Sequence, residues 1–290
     1  MLKVISSLAM LFMAASSRRL SALEKQFAMN GDVIAPPLAD NSTYGNTEEI
    51  HTTHVHLNLT VDFDTRQLSG QAYHTMEVLK EATVAQFDIW DLTVVNCFNA
   101  TDNSPMPFNI AQPNPLIGSV LQVMLPRAVQ AGETVEIGIS YSTSATGHAF
   151  SWLNAEQTAG GVLPYMFTQC EDINCRSVAP LQDTPSNRIT YSADFYAPKE
   201  FVVKMSANET AVTAVDDSTN VSKFDCAIPI PSYLIAIAIG DLEYRSLGAR
   251  VGVITEPSQM EKVATELEDM GDLLDAVEAY MGPYIWGNYT

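Results

Sequence analysis

The chain has 290 residues, 47% of them apolar, enough for one large domain or two smaller ones with real cores. That composition excludes a disordered polymer. Lys and Arg number 15 against 34 Asp and Glu, a formal net charge of -19; such a field repels phosphate backbones and anionic lipid surfaces, which sets nucleic acid aside as a partner, and favours cationic ligands such as peptides with a free amino end.

Residues 1–16 have the grammar of an export signal: Lys3 is a positive start, Val4 to Ala15 is a mostly apolar run, and Ala14, Ala15 and Ser16 are small residues suited to cleavage. The run is too short to cross a bilayer, which takes roughly 20 apolar residues, so no transmembrane segment is expected there. An ordinary apolar start, or a mitochondrial presequence with Arg18 and Arg19, are the alternatives. The sequons favour secretion or a secretory-pathway lumen. Asn-x-Ser/Thr occurs at Asn41, Asn58, Asn99, Asn208, Asn220 and Asn288. Chance placement among the asparagines would give roughly two or three. Residues 17–50 turn polar around Pro36-Pro37 and are expected to be a flexible leader.

From His54 the pattern alternates, with Val55, Leu57, Leu59, Val61 and Phe63 on one face of a half-buried strand. Further strands are expected at Gln71 to Leu79, Val84 to Val95, Val120 to Leu125 and Val135 to Tyr141, then at Arg188 to Tyr196, Phe201 to Met205 and Tyr233 to Ile239. Ser69-Gly70, Pro113-Asn114-Pro115 and Ala131-Gly132-Glu133 punctuate them. No three-turn helix is expected before residue 257. Residues 51–245 therefore form a mainly β domain of the large sandwich or saddle kind.

Near Ser258 the period changes. Met260, Val263, Leu267, Met270, Leu274, Val277 and Met281 make one apolar helical stripe, Ser258 and Glu261 suit a capping box, and Gly282-Pro283 suit its end. This helix is expected to open a new unit, residues 246–290.

Four cysteines, Cys97, Cys170, Cys175 and Cys226, are too few for a disulfide-built scaffold; buried thiols or one optional disulfide are expected. Cys170 and Cys175 have no second ligand pair beside them for a metal. His51, His54 and His56 begin the first strand, with His54 and His56 on its polar face, which suits a solvated pair better than a metal site. His74 and His148 stand alone as surface or packed residues.

The segment Leu163-Pro164-Tyr165-Met166-Phe167-Thr168-Gln169-Cys170-Glu171-Asp172-Ile173-Asn174-Cys175-Arg176 is followed by Gln182-Asp183-Thr184-Pro185-Ser186 and Pro198-Lys199-Glu200. Ser151-Trp152-Leu153, Glu156-Gln157-Thr158, the run Tyr233 to Gly240 and Gly282-Pro283-Tyr284-Ile285-Trp286-Gly287 extend the series. Together these resemble the leukotriene A(4) hydrolase and aminopeptidase B branch of peptidase family M1, from about His51 to the last residue.

The resemblance implies an N-terminal β domain followed by the truncated start of a thermolysin-like α/β zinc domain. It also implies zinc as cofactor and peptides with a free N-terminus as substrates. The family's His-Glu-x-x-His and Gly-x-Met-Glu-Asn segments do not occur in these residues. The zinc ligands are thus absent from this chain, which assigns it no metal ligand and no catalytic residue. The expectation is a fragment of a secreted zinc aminopeptidase, inactive as it stands. The alternative is a stand-alone, non-catalytic β-domain binding module, and packing of the last helix discriminates between them: a covered stripe favours the module and an exposed one the fragment.

By resemblance, Glu171 projects from the β domain into the cleft and binds the substrate's free amino group, with Gln169 two residues before it on the same side if the segment is extended. The hydrolase branch more often has Gln where this chain has Glu171, and a carboxylate there suits an ammonium group by a charge-assisted hydrogen bond. Asp172 is a possible second acid. Asp183-Thr184-Pro185 is expected to be a structural turn, with Asp183 accepting from nearby backbone N–H groups.

Overall fold

The structure, a computed structural model, describes residues 40–290. The signal-like stretch and most of the expected leader lie outside the described residues. The alternation that starts at His54 produces β1 (Ile50–Asp62), the centre of the largest sheet. Val55, Leu57 and Leu59 are fully buried on its inner face and Val61 nearly so. Each contributes about 1.5–3 kcal/mol by leaving water. Phe63 lies beyond the strand end, stacked on Phe201 at 4.5 Å and edge-on to Trp152 at 5.6 Å.

β1 runs antiparallel to β2 (Gln67–Val78), pairing Leu57 with Ala72, and parallel to β11 (Arg188–Pro198), pairing Leu57 with Ala193. Gly70 is required where β2 faces Leu59: its φ is +151°, and a Cβ there would sit 1.9 Å from the Asn58 carbonyl oxygen. β8 (Thr134–Ser142), β4 (Thr93–Asn99) and β5 (Pro105–Met106) continue the sheet beyond β2. β14 (Thr219–Pro231) and β13 (Asn208–Ala214) continue it beyond β11, making eight strands in all.

Three smaller sheets complete the fold. β3 (Ala82–Ile89), β7 (Ser119–Val129) and β6 (Phe108–Ile110) form one, and their Phe87, Leu121 and Val123 share one core with Leu57 and Leu59. β12 (Val202–Met205), β15 (Ile237–Gly240), β10 (Tyr165–Thr168) and β9 (Phe150–Leu153) form the second, adding Val203, Ile239 and Met166 to that core. β16 (Glu243–Ser246) and β17 (Gly252–Thr255) form a hairpin. The fold is mainly β, as the alternation implies.

Several expectations are corrected. The run Val84 to Val95 is two strands in different sheets, because the chain turns at Trp90 to Leu92 with Asp91 at a φ of 53°. The leader expected to reach residue 50 is anchored from Ser42 onward: Tyr44 N–H donates to Asp88 Oδ1 at 2.7 Å, and Asn46 Oδ1 accepts from Gln86 N–H at 2.9 Å. Residues 41–290 make one compact unit, and β16 spans Glu243–Ser246. The single helix from Ser258 is two, α1 (Met260–Glu266) and α2 (Met270–Met281). Glu266, Glu268, Asp269 and Asp272 crowd like charge into the turn between them, which disfavours a continuous helix. No capping box forms at Ser258; Glu261 instead pairs with Arg245 at 2.9 Å. Among the described residues, no helix is long and apolar enough to cross a membrane.

His74 on β2 is 1% exposed, packs on Phe87 at 4.6 Å, and has Nδ1 3.3 Å from Thr52 Oγ1. Burial pushes its pKa down to about 3, against a weaker opposing influence of the Pro180 backbone. The unfolded chain therefore binds a proton below about pH 6.5 that the folded chain refuses until about pH 3. This contribution to stability is fully present above pH 6.5 and lost on acidification, at up to about 1.4 kcal/mol per pH unit. Asp88 acts oppositely between pH 6 and 3.8, because burial raises its folded pKa to about 6. Denaturant unfolding of wild type and His74→Gln across pH 7 to pH 4 separates the two. The variant should lose less stability on acidification; parallel curves would contradict a buried neutral His74.

Candidate functional site

The site is built on β10. Tyr165 and Phe167 stack at 5.6 Å on one side of the strand, while Met166 is buried between Trp152 of β9 and Ile239 of β15. Gly240 leaves room for Tyr165, since a Cβ there would lie 2.5 Å from that ring. The strand ends where Gln169 N–H donates to the Ala149 carbonyl at 2.8 Å.

The chain then turns back on itself. Glu171 N–H donates to the Gln169 side-chain oxygen at 3.0 Å, and the Asn174 side-chain amide donates to the Glu171 carbonyl at 2.9 Å. Asn174 N–H closes the turn on the Cys170 carbonyl at 2.8 Å. The Glu171–Asp172 peptide is cis. Gln169, Glu171 and Asp172 are all exposed, and the Glu171 carboxylate has no hydrogen-bond or ion-pair partner among the described residues. Gln169 and Glu171 are thus brought together, but not as two parallel groups on an extended strand. The amide oxygen of Gln169 is committed to the Glu171 backbone, so Gln169 supports the turn and Glu171 is the free acid.

Beneath the turn lies a group that the sequence pattern does not reveal. Arg176 is fully buried. Its Nε donates to Asp183 Oδ2 at 3.1 Å, and its backbone N–H reaches the same oxygen at 3.0 Å. Nη1 donates to the Ile117 carbonyl at 2.7 Å and lies 3.7 Å from Asp88 Oδ1. Nη2 donates to the carbonyls of Ser42 at 2.7 Å and Asp183 at 2.8 Å. Asp183 Oδ1 accepts from the Ser232 hydroxyl at 2.5 Å. Asp88 accepts from Thr43, from Tyr44 N–H and from Asp183 N–H at 2.9 Å. Burial outweighs the opposing pull of Arg176 and these donors and raises Asp88 to about 6, so its carboxyl is still mostly ionised at pH 7.

Asp183 is therefore more than the turn residue expected of Asp183-Thr184-Pro185. It is the counterion of a buried guanidinium, and the N–H it accepts belongs to Arg176, outside the turn. Its neighbour Gln182 also reaches away, taking Thr52 N–H at 2.8 Å and donating to the Ile50 carbonyl at 2.9 Å beside the β1 irregularity.

The histidines do not converge. His54 bonds Thr190 at 2.8 Å and Ser192 at 3.1 Å, and His56 bonds Ser192 at 2.9 Å, so this pair is half-buried against β11 rather than freely solvated. Burial lowers both pKa values. His51 lies 3.4 Å from Glu77 and the exposed His148 lies on Trp90 at 4.1 Å. Among the described residues, no three His, Cys, Asp or Glu side chains group as metal ligands, so zinc has no fitting site in them. All four cysteines are buried and unbridged. Asn41, Asn208 and Asn288 are exposed, and Asn58, Asn99 and Asn220 are half-buried on their strands.

Residues 51–234 match the family model of the peptidase M1 N-terminal domain. A leukotriene A-4 hydrolase from Xenopus laevis is 34% identical over 255 residues, covering 87% of this chain and 42% of that protein. A leucine aminopeptidase 2 from Pyricularia oryzae is 33% identical over 253 residues, covering 87% and 41%. The solved structure of native yeast LTA4 hydrolase is similar at a TM-score of 0.80 and 32% identity, covering 87% of this chain and 39% of that one. The chain spans about two fifths of the length of these relatives. The match of fold and sequence over the same residues assigns the chain to peptidase family M1, whose N-terminal domain it contains.

Proposed function

We propose that this chain supplies the β domain of a secreted zinc aminopeptidase and that Glu171 is its anchor for the substrate's free amino group. The observation that carries the reading is the exposed, unpartnered carboxylate of Glu171 on a turn fixed by Gln169, Asn174 and the Arg176 cluster. An exopeptidase must recognise a chain end, and a carboxylate at a set position measures the distance from that end to the scissile bond. Asp172 beside it adds to the negative field without a defined role. The zinc and its water would come from residues other than these 290, which by themselves bind no catalytic zinc and turn over no peptide. Leu273, Val277, Tyr280 and Met281 on α2 are more than half exposed, which supports a piece of a larger enzyme over a stand-alone binding module.

Glu171→Gln in a chain completed with a zinc domain tests the anchor. It keeps shape and removes charge, so it should cost up to about 1.5–3 kcal/mol of transition-state binding. That is roughly ten- to hundredfold in kcat/KM for free-amino peptides. Amino-blocked substrates should be poor with either version, and the 290-residue chain assayed alongside should release no product and contain no stoichiometric zinc. An unchanged kcat/KM would make Glu171 a solvated acid; zinc-dependent turnover by the short chain would contradict its assigned incompleteness.

Expression in a secretory eukaryotic host should yield a glycosylated product. The exposed Asn41, Asn208 and Asn288 are expected to be modified first, and glycosidase should shift the band on a gel. An unshifted, intracellular product would contradict secretion.

A further inference from the structure

Cys170 and Cys175 bracket the turn that carries Glu171. They are 2% and 0% exposed and are not bridged. The chain between them doubles back through the Asn174 to Cys170 backbone bond at 2.8 Å, which places the two residues one turn apart. Both thiols are buried at this one turn, and Cys170 is the neighbour that raises the Cys175 thiol most. Both ends of the turn are pinned. Cys170 follows Gln169, whose N–H is held by Ala149, and Cys175 precedes the fully buried Arg176. The thiol of Cys226 is engaged elsewhere, donating to the Ile228 carbonyl at 3.5 Å, and Cys97 lies on β4.

We propose that Cys170 and Cys175 are a disulfide-forming pair whose closure staples the turn presenting Glu171. The oxidant is a low-molecular-weight disulfide. One cysteine thiolate attacks a sulfur of that disulfide, forming a mixed disulfide and releasing one small thiol. The second cysteine thiolate then attacks the protein sulfur of the mixed disulfide, forming the Cys170–Cys175 bond and releasing the second small thiol. The two protein thiols give up two protons and two electrons, and the reagent's sulfur–sulfur bond takes them as two thiols. The neighbouring Cys170 and burial push the Cys175 thiol well above its ordinary range, so the folded protein offers little thiolate. Closure therefore accompanies folding, or local opening, in an oxidising compartment. The bridge itself is independent of substrate binding; only its value for holding Glu171 rests on the amine-anchor reading.

The test refolds the 290-residue chain in reduced or oxidised glutathione, confirms folding by circular dichroism, alkylates free thiols and digests with trypsin. Both cysteines fall in one tryptic peptide, residues 128–176. In oxidised buffer this peptide should lose both alkyl groups and weigh two hydrogens less than the unalkylated reduced peptide, while Cys97 and Cys226 stay alkylated. In Cys170→Ser or Cys175→Ser the remaining cysteine of the pair should be alkylated or carry glutathione. If refolding fails, native protein held in the same buffers gives the same readout through local opening. Alkylation of both cysteines at every redox ratio, glutathione adducts without the bridge, or a bond to Cys97 or Cys226 would overturn the proposal. None of these readouts uses activity, so they do not depend on the role of Glu171.

Discussion

A buried guanidinium with two carboxylates holds the Glu171 end of this domain together. Arg176 makes bonds to segments far apart in sequence: Ser42, Ile117 and Asp183, with Asp88 in ion-pair range. Taking these charges out of water is costly, and the pair alone would not offset it. The directional bonds do, because all three nitrogens of the guanidinium find acceptors and both carboxylates find further donors. A hydrophobic cluster of the same volume would pack these segments without fixing their relative positions. The guanidinium fixes them, and the turn bearing Glu171 starts at Cys170, just after β10 and six residues before it, and ends against it.

Support for the turn is therefore layered. Gln169 and Asn174 set its local shape, β9 and β15 hold the strand that feeds it, and the Arg176 cluster fixes its exit. The surface consequence is an acid with no protein partner on a rigid base. Such an arrangement suits recognition of a cationic chain end, because little ordering is left for the ligand to cost.

The strands with strict alternation were legible in the sequence. Val55 to Val61 announce β1 because each second side chain enters one core. β14 was not legible: its Asn220, Ser222, Lys223 and Asp225 interrupt the apolar beat, and it is a strand because β11 and β13 pair with it on both sides. The helical stripe from Met260 to Met281 was legible as helix but not as two helices, since acidic crowding at 266–272 does not alter apolar spacing. Glu171 was found through the Gln-Cys segment. Arg176 carries no mark in the sequence, since an arginine after Cys175 looks like any surface residue. The available signal is Asp88, an acid between Phe87 and Ile89 on β3, whose burial demands a cation. The sequence marks Asp183 only as a turn residue, and its ion-pair role follows from the tertiary meeting with Arg176.

Hydrogen exchange on wild type and Asp183→Asn tests most directly whether the cluster positions the turn. The substitution keeps shape and removes one of the two carboxylate charges facing Arg176. Exchange should quicken at the amides of Asn174, Arg176, Ser177 and Tyr44, while Leu57 and Leu59 on the central strand keep their protection. Equal loss of protection across the whole domain, or no change at Asn174 and Arg176, would contradict the claim that the buried guanidinium holds the Glu171 turn in place.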